Sequence, residues 1–301
     1  MLRLKGLFKK QAELILSSRK QALLYAVIFA LLPYCTWLAM VVIALVTLRK
    51  GQQEGMRILA TVMLVHGSVL WMSMPLYAVI FNLLLVFAPV YMAAYVLRVT
   101  SSWQAVSAAL FFLVILSSLF IQQMVPEWVM SQYAMLQSIV QASQSDHVLS
   151  KWLNDTSGFP ALALANYTLG IQLMSAVLSI WSALLLARSL QSQLFYPGGF
   201  KQELLTFRGN RLSFIVMLLL CVAAWKWNVV AMNVLPVLVL FYLLAGLSLC
   251  ANFIMGKLSR GILVVLILPL LFMPFVMLPL YIILGLLDSV FNIRLAFVRI
   301  G

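Results

Sequence analysis

Eight long apolar runs constrain what this chain can fold into more than any other feature of its sequence. About 20 apolar residues cross the hydrocarbon core of a bilayer as a helix, and backbone polar groups there must be satisfied within the protein. Charged residues make up only 9% of the chain, whereas a soluble domain carries about 25%. We therefore predict an all-α fold, a polytopic transmembrane helical bundle of about eight membrane segments: 22–47, 57–73, 76–97, 103–123, 160–187, 212–232, 234–255 and 262–287.

The more polar segments set the predicted organisation of the chain. Residues 1–20 contain six basic residues and apolar residues at helical spacing, which predicts a basic amphipathic N-terminal segment on the cytoplasmic surface. Residues 21–301 are predicted to form a single transmembrane helical domain, because no polar stretch is long enough to fold separately. Within this domain we expect 124–159 to be an extracytoplasmic cap and 188–211 to be a cytoplasmic loop.

The distribution of positive charge leaves the two terminal runs with two arrangements. The segments 188–211 and 256–261 are basic, which places them in the cytoplasm and 124–159 outside. The runs 22–47 and 262–287, however, have basic residues on both sides. Each is either a full span kinked at its prolines, which is the arrangement we favour, or a re-entrant segment that returns to the cytoplasmic side.

Several classes of function are disfavoured by the sequence. The net charge of +13 comes from basic residues in short segments that flank apolar runs, so we expect no nucleic acid partner. The chain has no G-x-x-x-x-G-K-[ST], H-E-x-x-H or C-x-x-C motif, and its cysteines are isolated, so we predict no metal, no cofactor and no enzyme. The 7 carboxylates lie in loops or at span ends, which argues against a proton relay buried in the membrane.

The candidate ligand-binding residues are polar groups in apolar surroundings. Lys226 is flanked by Trp225 and Trp227 and followed by Asn228. It lies about 22 Å along its predicted helix, near the outer interface, where a lysine either extends to the headgroups or contacts a ligand. His66 lies in the second run; packing with a hydrogen bond to a neighbouring helix is favoured over a proton relay or a ligand contact.

Two further motifs supply the candidate docking residues for a partner. The first is P-G-G-F-x-x-E at 197–203, which ends at Glu203 and is followed by Arg208 and Arg211. The second is G-L-L-D-S-x-F-N-x-R at 285–294, which contains Asp288 and Arg294. Taken separately, each motif is typical of a solvated loop that anchors the chain at the membrane surface.

Together, the two motifs and the apolar runs resemble the YybS-like family of uncharacterised bacterial membrane proteins. The resemblance covers about residues 20–299 loosely, and its specificity comes from the last third of the chain. That family is distantly similar to the substrate-binding S components of energy-coupling factor vitamin transporters. The resemblance implies a bacterial inner-membrane protein with a small-molecule site that faces outside, and a partner module that hydrolyses ATP. It supplies no catalytic residues.

These observations lead to two functional hypotheses. The first is a transport-class component that binds a small solute, with Lys226 and its neighbours near the mouth of the site and an ATPase or other membrane protein as the partner. The alternative is a non-transporting scaffold or assembly factor that binds membrane lipids or a protein partner. A pocket larger than about 300 Å³ would favour the first hypothesis, and a packed bundle would favour the second.

Overall fold

The described part of the chain is helical throughout. The computed structural model describes residues 2–32, 34–142, 161–254 and 262–294, and it contains thirteen helices and no strand within these ranges. The helices are α1 (Leu2–Ser17), α2 (Arg19–Leu31), α3 (Thr36–Lys50), α4 (Gln52–Trp71), α5 (Leu76–Thr100), α6 (Trp103–Met124), α7 (Pro126–Ala142), α8 (Ala161–Phe195), α9 (Gly199–Thr206), α10 (Arg211–Trp225), α11 (Val229–Ile254), α12 (Ile262–Phe272) and α13 (Pro274–Phe291).

Five of the described helices are long and apolar enough to cross a bilayer, namely α5, α6, α8, α11 and α13. If each of two bent helix pairs counts as one span, the total rises to seven. The protein is therefore a multi-pass α-helical membrane protein, as predicted. The predicted number of about eight segments is not confirmed, because several apolar runs are interrupted. For example, a turn after Trp225 limits α10 to 15 residues.

The chain forms two compact units, and each is described separately below. Unit 1 comprises residues 1–110 and 176–207, and unit 2 comprises residues 111–175 and 208–301. This division is finer than the single domain predicted for 21–301.

In unit 1, the first apolar run folds back on itself. Helices α2 and α3 pack against each other, and a segment containing Tyr34, which has a positive φ of 63°, separates them. The Arg19 Nε at the start of α2 lies 3.4 Å from the Glu54 Oε2. Glu54 is in the first turn of α4, close to the end of α3. Run 22–47 is therefore two short helices, with the start of the first close to the end of the second, and not the full span kinked at its proline that we favoured.

The segment before this hairpin agrees with the predicted helix at the N-terminus. Ser18 caps α2 by accepting a hydrogen bond from the Gln21 N–H, and the part of α1 from Lys10 to Ser17 makes an angle of 118° with α2. A polar cap at Ser18 therefore separates α1 from the first apolar helix.

In unit 2, α11 and α13 pack antiparallel at very short distance. Gly246 on α11 faces the Tyr281 carbonyl, and Gly285 on α13 faces the Tyr242 carbonyl, so closely that a Cβ at either glycine would overlap the opposing backbone. Small residues allow this kind of backbone approach between membrane helices. The two contacts fix the register, with the C-terminal end of α13 directed toward the N-terminal half of α11.

The last apolar run is also folded back. The Tyr281 hydroxyl on α13 donates a hydrogen bond of 3.1 Å to the Leu266 carbonyl on α12. In a continuous helix, two residues 15 positions apart would be separated by about 22 Å. The chain therefore turns at Met273, before Pro274 starts α13, and run 262–287 is not one straight span.

The predicted cap and loop contain regular structure. Helix α7 lies in the predicted cap, and its Val129 and Tyr133 form a buried cluster with Ile121, Ala165 and Leu169 of unit 2. Residues 143–159 of the cap and the segment 256–261 lie outside the described residues. The predicted loop 188–211 contains the last two turns of α8, the whole of α9 and the start of α10.

The folded-back first run predicts a specific labelling pattern. In a chain whose three cysteines are replaced by alanine, Lys20→Cys and Gln53→Cys should react with a membrane-impermeant maleimide from the same side of the membrane. The reason is that the start of α2 and the end of α3 meet at one end of unit 1. Labelling of these two positions from opposite sides in sealed vesicles would show that 22–47 crosses the bilayer.

Candidate functional site

The most unusual group in the structure is a buried ion pair at the end of α13. Asp288 is completely buried, and the Arg294 side chain is only 11% exposed. The Arg294 Nε donates to the Asp288 Oδ2 at 2.9 Å. Asn292 ends α13 in the left-handed conformation with a φ of 49°, and this turn brings Arg294 back beside Asp288. The sequence therefore forms the pair locally, across six residues.

Ser289, the neighbour of Asp288 on α13, lies beside Tyr242 of α11 and the start of α10. The hydroxyl groups of Tyr242 and Ser213 are 2.8 Å apart and share a hydrogen bond. A Cβ at Gly209 would lie 2.9 Å from the Tyr242 ring and 3.1 Å from the Ser289 Cβ, so a larger residue there would have to displace its neighbours. The start of α10 and the end of α13 thus meet beside Tyr242.

Local sequence explains why α10 starts at this position. Asn210 accepts a hydrogen bond from the Ser213 N–H at 2.7 Å, and the Ser213 hydroxyl accepts one from the Asn210 N–H at 3.1 Å. This reciprocal capping box satisfies backbone donors at the first turn. Ser213 therefore both caps α10 and orients the Tyr242 hydroxyl.

The electrostatics of the site are unbalanced. Arg208 is a second basic residue near enough to Arg294 to act on its charge. The Asp288 Oδ1 is buried and has no hydrogen-bond partner among the described residues. The Asp288 carboxylate thus has one guanidinium partner, a second guanidinium lies near that partner, and the unused acceptor can take a hydrogen-bond donor from a solute.

The site lies level with the middle of the longest apolar helix of unit 2. Tyr242 is about 20 Å from the start of α11 at Val229 and about 18 Å from its end at Ile254. In the sequence, Lys226 and Lys257 flank this helix on either side. The ion pair therefore sits far from both ends of α11.

The sequence-predicted ligand residues of unit 2 lie at the turn between α10 and α11, away from this pair. Lys226 ends α10 and is exposed, and Trp225 is 81% exposed. Trp227 is exposed with a positive φ of 59°, and the Asn228 side chain caps α11 by accepting from the Ala231 N–H. This arrangement is typical of an interfacial belt with a lysine that reaches the headgroups.

His66 belongs to unit 1 and is used for packing. Its Nδ1 lies 2.9 Å from the Ala30 carbonyl on α2, and its ring meets Phe87 edge-on at 5.6 Å. The structure therefore does not bring His66 and Lys226 into one site within either unit.

The predicted docking residues divide between the units. Arg208, Asp288 and Arg294 are close together in unit 2, and Arg211 is the exposed first residue of α10. Glu203 lies in unit 1, where it forms a bidentate ion pair with Arg188. Both oxygens of the Glu203 carboxylate are therefore engaged by Arg188.

Sequence reasoning missed how deep the ion pair lies. We placed every carboxylate in a loop or at a span end, but Asp288 is inside α13, one turn before its end, and is completely buried. It also missed the contributions of Gly209, Ser213 and Tyr242. The Asn-x-x-Ser spacing at 210–213 is a capping signal that could have located the start of α10.

Comparisons with known proteins add no name to this geometry. No family model matches the chain, and no match is found among curated proteins or solved structures. Within the described ranges there is no group of three or more His, Cys, Asp or Glu residues that could hold a metal ion. Fold and site together define a multi-pass helical membrane protein with a buried ion pair.

The ion pair should show strong energetic coupling. Asp288→Asn or Arg294→Gln alone leaves one buried charge uncompensated, and each should lower the free energy of unfolding by about 3–5 kcal/mol. The double variant should lose much less free energy of unfolding than the two single variants lose together. Reversible unfolding in detergent would measure this double-mutant cycle.

The exposed Glu54–Arg57 pair provides a matched control, because it has the same charges on the surface of unit 1. Its cycle should give a coupling below about 1 kcal/mol. If the losses of unfolding free energy in the Asp288 and Arg294 single variants simply add in the double variant, the two groups do not stabilise each other.

Proposed function

We propose that this chain is a transport-class membrane protein whose unit 2 binds a small polar solute at the Asp288–Arg294 pair. The observation that carries the proposal is the position of this pair, buried and level with the middle of α11. Ionisable residues inside a membrane are costly, and they commonly mark the pathway of a solute or an ion.

The length of α11 supports a position deep in the bilayer. Its 26 residues extend about 39 Å, which exceeds the hydrocarbon core of about 30 Å. If α11 crosses the membrane between Lys226 and Lys257, the hydroxyl of Tyr242 and the ion pair lie near the bilayer centre. Transport sites of secondary transporters occupy this depth.

Interrupted helices support the same function. Helix α10 starts and α13 ends beside the site, so two helix ends lie close to the charges. Discontinuous helices of this kind form the solute sites of many transporters. Arg211 at the start of α10 is exposed, and a guanidinium at this level needs water, which favours an aqueous approach to the site.

The finer features of the proposal come from the sequence. The resemblance to YybS-like proteins suggests a location in the bacterial inner membrane, a site that opens to the outside and an ATP-hydrolysing partner. Lys226, Trp225, Trp227 and Asn228 at the far end of α10 would then lie at the mouth of the pathway, where Lys226 could attract an anionic solute. Membrane lipids would contact the exposed apolar faces.

A second candidate, a non-transporting scaffold, is favoured by one observation. A cavity of about 260 Å³ in unit 1 falls below the usual range of about 300–1,000 Å³ for sites of drug-sized ligands. If the protein only organises lipids or a partner at the membrane surface, the buried ion pair would serve stability alone.

Retention of a solute during purification separates the two functions. The wild-type chain, purified in mild detergent, should release a small polar molecule that mass spectrometry identifies. Asp288→Asn and Arg294→Gln should abolish this retention, because each removes a binding charge. The outcome that would contradict transport is the same set of molecules, or lipid alone, from all variants.

Two control variants make this comparison specific. Glu127→Gln changes an exposed carboxylate in the first turn of α7 and should leave retention unchanged. Lys226→Ala tests the proposed mouth, where we expect faster loss of an anionic solute and no loss of the site itself. Gel filtration of each variant should show the same elution, so that loss of solute is not loss of fold.

A further inference from the structure

Unit 1 contains a second polar site, independent of the ion pair in unit 2. A cavity of about 260 Å³ lies where α5 turns into α6 and where α9 ends. Ser101, in the left-handed conformation with a φ of 50°, forms the turn. The lining includes Ser101, Ser102, Trp103, Glu203, Thr206 and Phe207.

Glu203 is the charged residue of this lining, and hydrogen bonds from Arg188 and Trp103 fix the position of its carboxylate. The Glu203 Oε2 accepts from the Arg188 Nε at 3.0 Å and from the Trp103 Nε1 at 3.2 Å, and the Oε1 accepts from the Arg188 Nη2. A carboxylate can accept about four hydrogen bonds, so Glu203 retains capacity toward the cavity. Its side chain is 22% exposed, whereas Trp103 behind it is buried.

Aromatic rings pack around Trp103, which donates to the same carboxylate. The Trp103 ring lies 5.0 Å from that of Trp181 and 6.5 Å from that of Phe200, and the Trp181 ring lies 5.1 Å from that of Phe207. Aromatic faces attract cations, and the effect is larger where water is excluded. Hydroxyl groups of Ser101, Ser102 and Thr206 add neutral acceptors to the lining.

We propose that this cavity binds a primary ammonium group. Its lining offers a fixed carboxylate, aromatic rings and hydroxyl acceptors, and none of its residues is a lysine or an arginine. A primary ammonium carries three N–H donors and a compact charge, which match these acceptors better than a quaternary ammonium without donors. The volume suits a headgroup amine or a free small amine.

The position of the cavity makes an aminophospholipid headgroup one source of this group. Arg98, three residues before the turn, donates to the carbonyls of Thr47 and Leu48 at the end of α3, next to Arg49 and Lys50. This basic end of unit 1 is therefore expected at the cytoplasmic headgroup level. Exposed Lys201 on α9 adds positive charge at this end of unit 1, which favours an anionic or zwitterionic lipid surface.

Calorimetric titration of the purified full-length chain in detergent tests this site with three probes. They are a short-chain phosphatidylethanolamine, its phosphatidylcholine analogue and free ethanolamine. The ethanolamine lipid should bind at least about tenfold more tightly than the choline lipid, because charge-assisted hydrogen bonds are lost with the N–H donors. Equal binding of the two lipids would overturn the proposal.

Variants locate the binding and protect the test against misfolding. Glu203→Gln should weaken binding of ethanolamine probes by about tenfold or more, because it removes the negative charge. Thr206→Phe should do the same by filling the cavity while it leaves Glu203 and Arg188 in place. Glu127→Gln, at an exposed carboxylate in the first turn of α7, should have no effect.

The probes also distinguish the sources of the ammonium group. Much tighter binding of the ethanolamine lipid than of free ethanolamine supports a lipid headgroup, and similar binding of the two supports a soluble amine. Ethanolamine binding that neither Glu203→Gln nor Thr206→Phe weakens would overturn the assignment of this cavity. Failure here would leave the solute site of unit 2 unaffected, because the variants lie in different units.

Discussion

The ion pair between Asp288 and Arg294 is the interaction on which the rest of unit 2 depends. A carboxylate without water is stable only if a partner compensates its charge, since desolvation costs several kcal/mol per ion. The structure provides that partner by ending α13 at Asn292 and turning the chain back. The glycine contacts between α11 and α13 then fix the height at which the pair is buried.

Unit 1 handles its polar groups in a different way. Arg98 donates to the last carbonyls of α3, and Arg188 holds Glu203, so the charges at this end stabilise helix ends and connect helices. Cations near a helix C-terminus also interact favourably with the helix dipole. Arg98, Arg188 and Glu203 all have hydrogen-bond partners within unit 1. The Asp288 Oδ1 in unit 2, in contrast, has no hydrogen-bond partner among the described residues. This contrast is why we place the solute site in unit 2.

The sequence predicted the helical class and most of the apolar segments, because length and hydropathy determine them locally. It did not predict that the runs 22–47 and 262–287 fold back, since this depends on contacts such as Arg19 with Glu54 and Tyr281 with Leu266. The charge distribution did indicate the re-entrant alternative, which we gave less weight than proline-kinked spans.

For the site, the motif at 285–294 identified both members of the ion pair but not their burial. Asp288 follows the last residue of an apolar run, and hydropathy alone cannot distinguish a carboxylate in a surface loop from one that packs against a neighbouring helix. The role of Tyr242 was not predictable from the sequence either. A tyrosine within an apolar run does not reveal its hydrogen-bond partner, which here is Ser213 on another helix.

The depth of the ion pair in the bilayer is the most direct test of this account. Leu287 is adjacent to Asp288 and 41% exposed, and Phe275 lies at the other end of α13 and is 93% exposed. Spin labels at Leu287→Cys and Phe275→Cys, in a cysteine-free chain in lipid vesicles, report depth through their relative exposure to oxygen and to a water-soluble nickel chelate. The account predicts a label at 287 near the bilayer centre and one at 275 near the interface. A label at 287 at the depth of the headgroups would make the pair a surface feature and would contradict a solute site within the membrane.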